Sequence, residues 1–297
     1  MSVSVVLVSY NTCAHLRRCL GSLVNQSEDV IVVDNASTDG SPEMVAAKFP
    51  DVTLICNSRN VGFGAANNQG LAVARHEVVL LLNSDTEAAP GAVAELSQHF
   101  RAGVSAVGGA LVDNSGAVQP SCCNALTAWA VFCEQSLLMK AFPRSKWLNP
   151  YWVTHWLPTD RPSEVEQVMG ACLMVNRDAR FDESFFLYCE DTELCHRLRQ
   201  TGKILYVPTA RFQHALGAST SSNRAWAIGM YNAGKVRFFR LHCPNQAGLV
   251  RRLNWWGALL RGSLYRIKRN PEMVAMFRQV RLWNSAEPPL PRDAREP

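Results

Sequence analysis

Four short polar clusters, each directly after an apolar run, hold the residues best suited to bind a ligand. Together they offer hydroxyls, amides, two carboxylates, an arginine and a phenol ring, which are the groups that hold a nucleotide. The clusters are Ser9-Tyr10-Asn11, Asp34-Asn35-Ala36-Ser37, Asn57-Ser58-Arg59-Asn60 and Asn83-Ser84-Asp85.

Three residues of these clusters suggest distinct contacts with a nucleotide. Tyr10 can stack on a base, Asp34 can accept a hydrogen bond from a base imide, and Arg59 can donate to base or phosphate oxygens. Asn, Asp and Ser also form ordinary turns after strands. Four clusters in register favour a ligand site over four unrelated turns.

Two further positions could take part in chemistry. Glu190 and Asp191 follow the aromatic residues 185–188 and open a predicted helix. The positive end of a helix dipole favours an ionised carboxylate there, which can act as a general base or simply stabilise the first helical turn. His214 stands alone, and a lone histidine is either a structural residue or a metal ligand.

The segments that must position these side chains alternate between two hydrophobic periods. Apolar runs at residues 3–8, 30–33, 52–56, 78–82 and 105–112 predict buried strands, and the segments between them predict helices. This alternation predicts an α/β fold with a mostly parallel, doubly wound sheet and helices on both faces. Ligands bind beyond the carboxyl ends of such strands, where the four clusters lie.

The regular alternation stops after residue 112. Residues 113–161 are rich in Cys, Trp and Pro and carry no recognisable period. Apolar composition predicts further strands at residues 165–175 and 203–207, with a helix at residues 190–200 that ends before Gly202.

Seven motifs between residues 2 and 220 resemble those of family 2 glycosyltransferases. The resemblance is nearest to the rhamnosyltransferase-like branch, which builds bacterial surface polysaccharides. The motifs are VVLVSYN (residues 5–11), VVDNASTDGS (32–41), NVGFGAANNQG (60–70), LLNSDTE (81–87), GACLMVNRDA (170–179), FDESFFLYCEDTELCHRLRQTG (181–202) and FQHALGAS (212–219).

This resemblance implies a GT-A-like, Rossmann-type fold and an inverting transfer from a nucleotide diphosphate sugar to a glycan acceptor. The expected donor is dTDP-rhamnose, with UDP-sugars next, and the expected acceptor is lipid-linked. Asp191 would be the general base, and Glu190 would contact the acceptor. The residues implied to bind the nucleotide sugar are Ser9, Tyr10, Asn11, Asp34, Ser37, Arg59, Asn60, Asn67, Asn83, Ser84 and Asp85.

The resemblance also implies a divalent metal, Mg²⁺ or Mn²⁺. The family's aspartate-any-aspartate motif is reduced here to Asn83, Ser84 and Asp85, so that one acid remains. Asp85 suffices as an anchor, because phosphate oxygens and water supply the other ligands of a hard dication. His214 matches the position of a second metal ligand in relatives.

The expected organisation has three parts. Residues 1–112 form the nucleotide-sugar-binding half of the catalytic domain, residues 113–220 its acceptor and catalytic half, and residues 221–297 a C-terminal helical, basic extension. The net charge of +5 is uneven: residues 235–281 contain eleven Lys/Arg and one acid, whereas the remainder contains nineteen Lys/Arg and twenty-four acids. Such asymmetry indicates an anionic partner for the extension.

The extension carries apolar residues among its cations, at a spacing that suits one helical face. Such a helix is expected to lie on a membrane surface, where a lipid-linked acceptor is presented. Two alternatives stay open: the apolar face packs on the catalytic domain, or the basic run binds nucleic acid, for which no recognition motif exists. The apolar residues are Trp255, Trp256, Leu259, Leu260, Leu264, Tyr265 and Ile267.

Other sequence features predict a cytoplasmic protein, peripheral at the inner face of the membrane. No secretory signal is recognisable in the first ten residues, and no run of about 18 apolar residues is present. The ten cysteines match no zinc-binding pattern, so most are expected to be reduced core residues.

Two other functions compete with sugar transfer. A sugar-nucleotide pyrophosphorylase would need a glycine-rich loop after the first strand, where this chain has Ser9-Tyr10-Asn11-Thr12. A non-catalytic nucleotide-sugar-binding protein or membrane scaffold would have no need of Asp85 and Asp191, and both are present.

Overall fold

The computed structural model describes residues 1–215 and 224–285, so the last four residues of the FQHALGAS motif lie outside it. The strands are β1 (Val3–Ser9), β2 (Asp29–Asp34), β3 (Thr53–Cys56), β4 (Val78–Asn83), β5 (Thr86–Ala88), β6 (Val104–Val112), β7 (Cys122–Cys123), β8 (Ser163–Val165), β9 (Gln167–Val168), β10 (Cys172–Asn176) and β11 (Lys203–His214). The helices are α1 (Cys13–Leu23), α2 (Ser41–Lys48), α3 (Phe63–Val73), α4 (Ala92–His99), α5 (Ala128–Gln135), α6 (Leu138–Ala141), α7 (Glu190–Leu198), α8 (Arg224–His242), α9 (Pro244–Ile267) and α10 (Pro271–Trp283), with a short 3-10 helix at Thr154–Trp156.

One central sheet organises the described part of the chain, in the order β3-β2-β1-β4-β10-β6-β11-β5, with β8 also paired to β11. The pairs β2–β3, β1–β2, β1–β4 and β6–β11 are parallel. In contrast, β10 is antiparallel to β4 and β6, and β5 and β8 are antiparallel to β11. Only β5, β8 and β10 therefore oppose the common direction, which confirms the predicted α/β fold with a mostly parallel sheet.

Helices cover both faces of this sheet, as the alternating side chains of β1 demonstrate. Val5 and Leu7 pack on one face with residues of α1, α2 and α4, whereas Val6 packs on the other with residues of α3 and α7. All three side chains are fully buried. Because successive residues of a strand point to opposite faces, a strand covered on both sides must be continuously apolar.

The prediction of a single strand at residues 165–175 is wrong. This segment forms β8, β9 and β10, with a turn at residues 169–171 before β10. In that turn the Cys172 amide donates to the Met169 carbonyl (3.2 Å), and the Gly170 amide donates to the Asp191 carboxylate (2.9 Å). Composition could not mark the break, because most residues of the turn are themselves apolar.

Strand β11 is longer than predicted. It continues from Lys203 past an irregularity between Val207 and Arg211 and ends at His214, which pairs with Thr86 of β5. The additional residues of β11 therefore place His214 at the end of β4, beside the Asn83-Ser84-Asp85 cluster.

Helices α8, α9 and α10 pack on one another and on α5 through a network of buried amide side chains. Gln135 donates to Asn254 (3.2 Å), and Asn232 donates to Asn284 (3.1 Å). Asn284 in turn donates to the backbone carbonyl of Asn254 (2.9 Å). Because an unpaired buried amide costs about 1–3 kcal/mol, the network favours one arrangement of the four helices.

Two cations of the predicted basic extension serve this packing instead of facing a partner. Lys235 is fully buried, and its ammonium donates to the Glu134 carboxylate (2.7 Å). Arg261 is half-buried and donates to the backbone carbonyls of Glu134 (2.8 Å) and Gln135 (3.0 Å). One side of the extension is therefore packed against α5.

We expect Gly70→Ala to destabilise the protein, because α3 lies too close to β1 for a methyl group. A Cβ at Gly70 would lie 2.3 Å from Cγ1 of Val6, and such overpacking costs about 1–3 kcal/mol. Urea unfolding followed by circular dichroism measures the change. Gly248→Ala in α9 is the matched control: nothing lies within 4 Å of its Cβ position, so alanine should stabilise the helix by up to about 1 kcal/mol. Equal losses in the two variants would contradict the packing argument.

Candidate active site

A cavity of about 350 Å³ lies at the carboxyl ends of β1 and β4, where the sequence predicts the ligand site. The first turn of α7, the end of β11, the segment at residues 186–188 and the start of α8 enclose it. The predicted site residues that line it are Tyr10, Asn60, Asn83, Ser84, Asp85, Glu190, Asp191 and His214. The fold therefore brings together residues from both halves of the chain.

Ser9 lies beneath this cavity instead of lining it. Its side chain is fully buried, and its hydroxyl is 3.3 Å from that of Thr12, which lies 3.0 Å from that of Ser84. This row of hydroxyls joins the loop after β1 to the loop after β4. Direct binding of a ligand by Ser9 stays a prediction, whereas support of the cavity floor is observed.

Asn11, Ser37 and Asp34 connect the loops after β1 and β2. The backbone amide of Asn11 donates to Ser37 Oγ (2.9 Å), and the backbone amide of Thr38 donates to Asn11 Oδ1 (2.8 Å). Asp34 is buried, and its Oδ2 accepts from the Ser37 amide (2.8 Å). Its Oδ1 has no hydrogen-bond partner within the described ranges, so this oxygen is suited to accept from a ligand.

Arg59 and Asn67 lie apart from the main cavity. Arg59 lines a neighbouring cavity of about 480 Å³ on the other side of residues 186–188, and Asn60 lines both cavities. Asn67 is buried within α3, where its side-chain amide donates to the Phe63 carbonyl (3.0 Å). Contact of either residue with a nucleotide stays a prediction, and for Asn67 the geometry favours a structural role.

His214 and Asp85 face each other at the edge of the cavity, with His214 Nε2 3.4 Å from Asp85 Oδ1. Gln119 orients the imidazole: its Nε2 donates to the His214 backbone carbonyl (2.9 Å), and its Oε1 lies 3.0 Å from His214 Nδ1. The bond to the carbonyl fixes the orientation of the Gln119 side-chain amide, so Gln119 Oε1 accepts from His214 Nδ1–H. His214 Nε2 is therefore directed at Asp85.

Helix α7 starts from a strained turn that aims its first residues into the cavity. Tyr188 and Cys189 both have φ of 68°, a region in which non-glycine residues carry about 1–3 kcal/mol of strain. Asp191 Oδ2 then accepts from the Gly170 amide (2.9 Å), and Oδ1 accepts from the Thr192 amide (2.7 Å). Strain of this kind persists where the surrounding contacts over-determine the backbone, as at functional sites.

Burial raises the pKa of both adjacent carboxyl groups, but their other surroundings differ. It raises the pKa of Asp191, and hydrogen bonds from Gly170 and Thr192 oppose that rise. Burial, together with the charge of Asp191, raises the pKa of Glu190 well above its usual range. Environments that separate two neighbouring pKa values assign different roles to the groups. The pKa of Glu190 is thus raised further than that of Asp191, so Asp191 is the more readily ionised of the two carboxyl groups.

Three residues of the site were missed by sequence reasoning. Gln119 lies in the segment that no pattern could assign, and the Gly170 amide gains its role only through the turn before β10. Trp226 of α8 lines the cavity and makes an edge-to-face contact with Phe186, with ring centroids 6.2 Å apart. Gly170 belongs to a recognised motif, but Gln119 and Trp226 belong to none.

Comparison with known proteins identifies the family. The profile of the Glycosyl transferase family 2 matches residues 4–120. The chain is 31% identical over an alignment of 284 residues to the N-acetylglucosaminyl-diphospho-decaprenol L-rhamnosyltransferase of Mycobacterium tuberculosis, and the alignment covers 88% of each protein. The chain is a family 2 glycosyltransferase. The resemblance of its motifs is thereby confirmed, and the pyrophosphorylase alternative is set aside.

Solved structures of other glycosyltransferases share the fold of this one. GalNAc-T7 with UDP, GalNAc and Mn²⁺ superposes with a TM-score of 0.58 at 16% identity, over 97% of this chain and 56% of the other. This glycosyltransferase therefore spans about half of that chain. The mannosyltransferase PcManGT from Pyrobaculum calidifontis, with GDP-Man and Mn²⁺, gives 0.52 at 17% identity, over 95% and 83%. At these identities the likeness bears on the fold alone, and it confirms the predicted GT-A architecture.

We expect Glu190→Gln to stabilise the glycosyltransferase increasingly as the pH rises. Because the folded-state pKa of Glu190 is raised, its contribution to stability is present below the unfolded pKa, about 4.3, and is lost as the pH rises through the folded pKa. Glutamine stays neutral at every pH. The unfolding free energy of the variant minus that of the parent, from urea titrations between about pH 4 and pH 8, should therefore grow.

Glu43→Gln controls for the loss of one negative charge, since Glu43 lies on the exposed side of α2. A stability difference between Glu190→Gln and the parent that does not change with pH would contradict a protonated Glu190.

Proposed function

We propose that this family 2 glycosyltransferase transfers rhamnose, with inversion, from dTDP-rhamnose to a hydroxyl of a lipid-linked glycan. The observation that carries the proposal is that one cavity holds both the Asp85–His214 pair and Asp191. The Asp85–His214 pair is suited to bind a metal and its diphosphate, and Asp191 is suited to act as a general base. The mycobacterial relative is named for rhamnosyl transfer to N-acetylglucosaminyl-diphospho-decaprenol, which supports this sugar and this class of acceptor. The reaction would serve synthesis of a bacterial surface polysaccharide.

The donor would lie across the carboxyl ends of β1 and β4. Tyr10 lines the cavity and would stack its ring on the base. Asp34 Oδ1 and Asn83 Oδ1 are buried oxygens without a partner among the residues described, and would accept N–H or O–H groups of the nucleotide. Arg59 would reach the base or phosphates from the neighbouring cavity. Thymine and uracil each present an imide N–H to such an aspartate, which supports dTDP- or UDP-sugars.

Asp85 and His214 fit a divalent metal, Mg²⁺ or Mn²⁺. They face each other at 3.4 Å, and Gln119 fixes the imidazole. In residues 1–215 and 224–285 no group of three or more His, Cys, Asp or Glu side chains is arranged to hold a metal, so phosphate oxygens and water would supply the remaining ligands. When bound, the metal would neutralise negative charge on the departing diphosphate. Both solved relatives contain Mn²⁺, which supports this assignment.

Asp191 would take the proton from the acceptor hydroxyl as its oxygen attacks the anomeric carbon. A raised pKa makes the carboxylate a stronger base. Glu190, protonated, would donate a hydrogen bond to the acceptor sugar. The nucleotide diphosphate would leave from the opposite face, so a single displacement inverts the configuration. Trp226 would pack on the sugar and exclude water from the cavity.

Helix α9 would attach the enzyme to the cytoplasmic face of the membrane. None of the described helices combines the length and apolar character needed to cross a bilayer, so attachment would be peripheral. The helix buries small or amide side chains against the protein, namely Ala247, Val250, Asn254, Gly257 and Ala258. Its larger apolar side chains remain exposed at Leu249, Trp256, Leu259, Leu264 and Ile267.

The apolar face predicted for this helix is only partly free. Tyr265 stacks on Phe277 of α10, with centroids 5.7 Å apart, and the guanidinium of Arg281 covers Trp255 at 5.5 Å. Arg261 faces α5, as described above, and cannot meet lipid. The exposed cations that would meet anionic lipid are Arg251, Arg252, Arg266, Lys268 and Arg269.

Asp191→Asn should lower the transfer rate at least about 100-fold, the usual scale for loss of a general base, while donor binding stays close to that of the parent. The assay measures release of free dTDP when dTDP-rhamnose is mixed with an N-acetylglucosaminyl-diphospho-lipid, and NMR of the product reports the anomeric configuration. Asp160→Asn, at an exposed position, is the control. Parental turnover by Asp191→Asn would refute the base assignment. No turnover of any nucleotide sugar by the parent would refute the proposed function.

Gln119→Leu should weaken Mn²⁺-dependent binding of dTDP about 10–100-fold, as expected when a metal-ligating histidine loses the group that orients it. Gln119→Glu should weaken it less, because a carboxylate still accepts from Nδ1–H although it can no longer donate to the His214 carbonyl. Asp85→Ala should remove the metal dependence altogether. Calorimetry with and without Mn²⁺ measures all three. Binding without metal is the control, and a metal response unchanged in Asp85→Ala would show that the cation binds elsewhere.

A further inference from the structure

We infer that a second exposed segment, residues 137–147, binds the same anionic membrane surface as α9. This segment, here called the aromatic loop, contains α6 and the turn that follows it and ends at Trp147. The inference rests on the proposed function, because a lipid-linked acceptor is presented at a membrane. It adds a membrane contact outside the C-terminal extension.

The aromatic loop exposes large apolar side chains in a group. Trp147 is 78% exposed and Phe142 is 51% exposed. Trp129 and Trp156 extend the group: the rings of Trp129 and Trp147 lie 5.9 Å apart, and the ammonium of Lys146 lies 5.3 Å from the ring of Trp156. Single exposed apolar residues are ordinary, but a contiguous group of them marks a contact surface.

The charge of the aromatic loop is exclusively positive. Lys140, Arg144 and Lys146 are exposed, and residues 137–147 contain no acid. The acid that precedes the loop, Glu134, is already paired with Lys235 at 2.7 Å. Cations interleaved with aromatic side chains are the composition that binds anionic headgroups and the adjoining acyl boundary.

Hydrogen bonds to the rest of the protein hold the aromatic loop in shape. Trp129 Nε1 donates to the Trp147 carbonyl (2.9 Å). The side chain of Asn149 donates to the Pro143 carbonyl (2.8 Å), and its backbone amide donates to the Ser145 carbonyl (2.7 Å). Because the loop is preorganised, inserting its side chains into a membrane loses little conformational entropy.

The aromatic loop begins next to α9. Arg261 of α9 donates to the carbonyls of Glu134 (2.8 Å) and Gln135 (3.0 Å), directly before the loop begins. The following turn of α9 carries Leu264 and Ile267, which are 37% and 79% exposed. Two basic and apolar elements attached to one rigid body can bind one surface together, which strengthens binding through effective concentration.

An anionic bilayer suits this surface better than a second protein. Protein interfaces are depleted in lysine and in charge at their centres, whereas here cations alternate along the chain with the exposed aromatic residues of the loop. Tryptophan is enriched where membrane meets water, with lysine and arginine beside it. A sheet of phosphate headgroups can also meet many cations at once.

Co-sedimentation of the full chain with phosphatidylcholine vesicles, with or without phosphatidylglycerol, tests the inference. Lys140→Gln, Arg144→Gln and Lys146→Gln together should lower partitioning into anionic vesicles at low salt by about fivefold for each cation removed. Phe142→Ser with Trp147→Ser should lower it at least about tenfold. Matched controls remove exposed residues elsewhere: Val24→Ser with Val73→Ser, and Arg17→Gln, Lys48→Gln and Arg101→Gln together.

Two further measurements separate loss of membrane contact from misfolding. Unfolding midpoints and transfer to a short-chain, water-soluble acceptor should be unchanged in every loop variant. Brominated lipids should quench less tryptophan fluorescence in Trp147→Phe than in the parent, because Trp147 would lie at headgroup depth. Equal quenching in the two proteins would overturn the inference.

Two other outcomes would also overturn it. In the first, loop variants bind anionic vesicles like the parent, whereas Trp256→Ser with Leu259→Ser in α9 loses binding; the proposed function would then stand. In the second, loop variants lose self-association and keep vesicle binding, so that the partner is a second copy of the chain. Vesicle binding through the loop without any sugar transfer would support the inference and count against the proposed function.

Discussion

The position of helix α7 depends on close contacts that only glycine permits. The segment before α7 passes between the loop that precedes α3 and helix α8. A Cβ at Gly62 would lie 2.6 Å from the Phe186 carbonyl oxygen, and one at Gly234 would lie 2.6 Å from that of Tyr188. Gly62 also has φ of +90°, where other residues are strained. Held from both sides, the segment can follow one path, which brings the first turn of α7 to the cavity.

That path determines the electrostatics of the site. Asp191 arrives beside the Gly170 amide, which donates to it at 2.9 Å, while Glu190 is buried with one oxygen left unpaired by any described residue. Two carboxylates this close would repel each other in a medium of low dielectric, which raises the pKa of the more buried one, Glu190. A sharp backbone turn therefore creates the difference between two residues that are chemically almost identical.

The same contacts join the C-terminal helices to the site. Gly234 belongs to α8, and the next residue, Lys235, is buried against Glu134 of α5. The amide network that starts at Gln135 continues into α9 and α10. The surface proposed to meet the membrane is thus packed on α5 and α8 instead of hanging from a linker. Under the proposed function, this would hold the cavity at a constant height above a membrane-bound acceptor.

The sequence by itself determined the strands of the first half and the polar residues at their ends. A strand covered on both faces must be apolar throughout, and this pattern is local, so β1, β4 and the positions of Tyr10 and Asp85 could be predicted. The motifs also predicted the family, because each motif is a continuous stretch of sequence that can be recognised without the fold.

Only the tertiary structure decided the contacts that pair distant residues. Gln119 orients His214 from 95 positions away, and β10 inserts between β4 and β6, which precede it in the chain. It also decided that Arg261 turns inward while Arg266 faces solvent, because both sides of α9 carry apolar residues and the buried side is chosen by what fits against α5. Local composition reports whether a side chain can be buried, but the neighbour against which it is buried is set by the path of the whole chain.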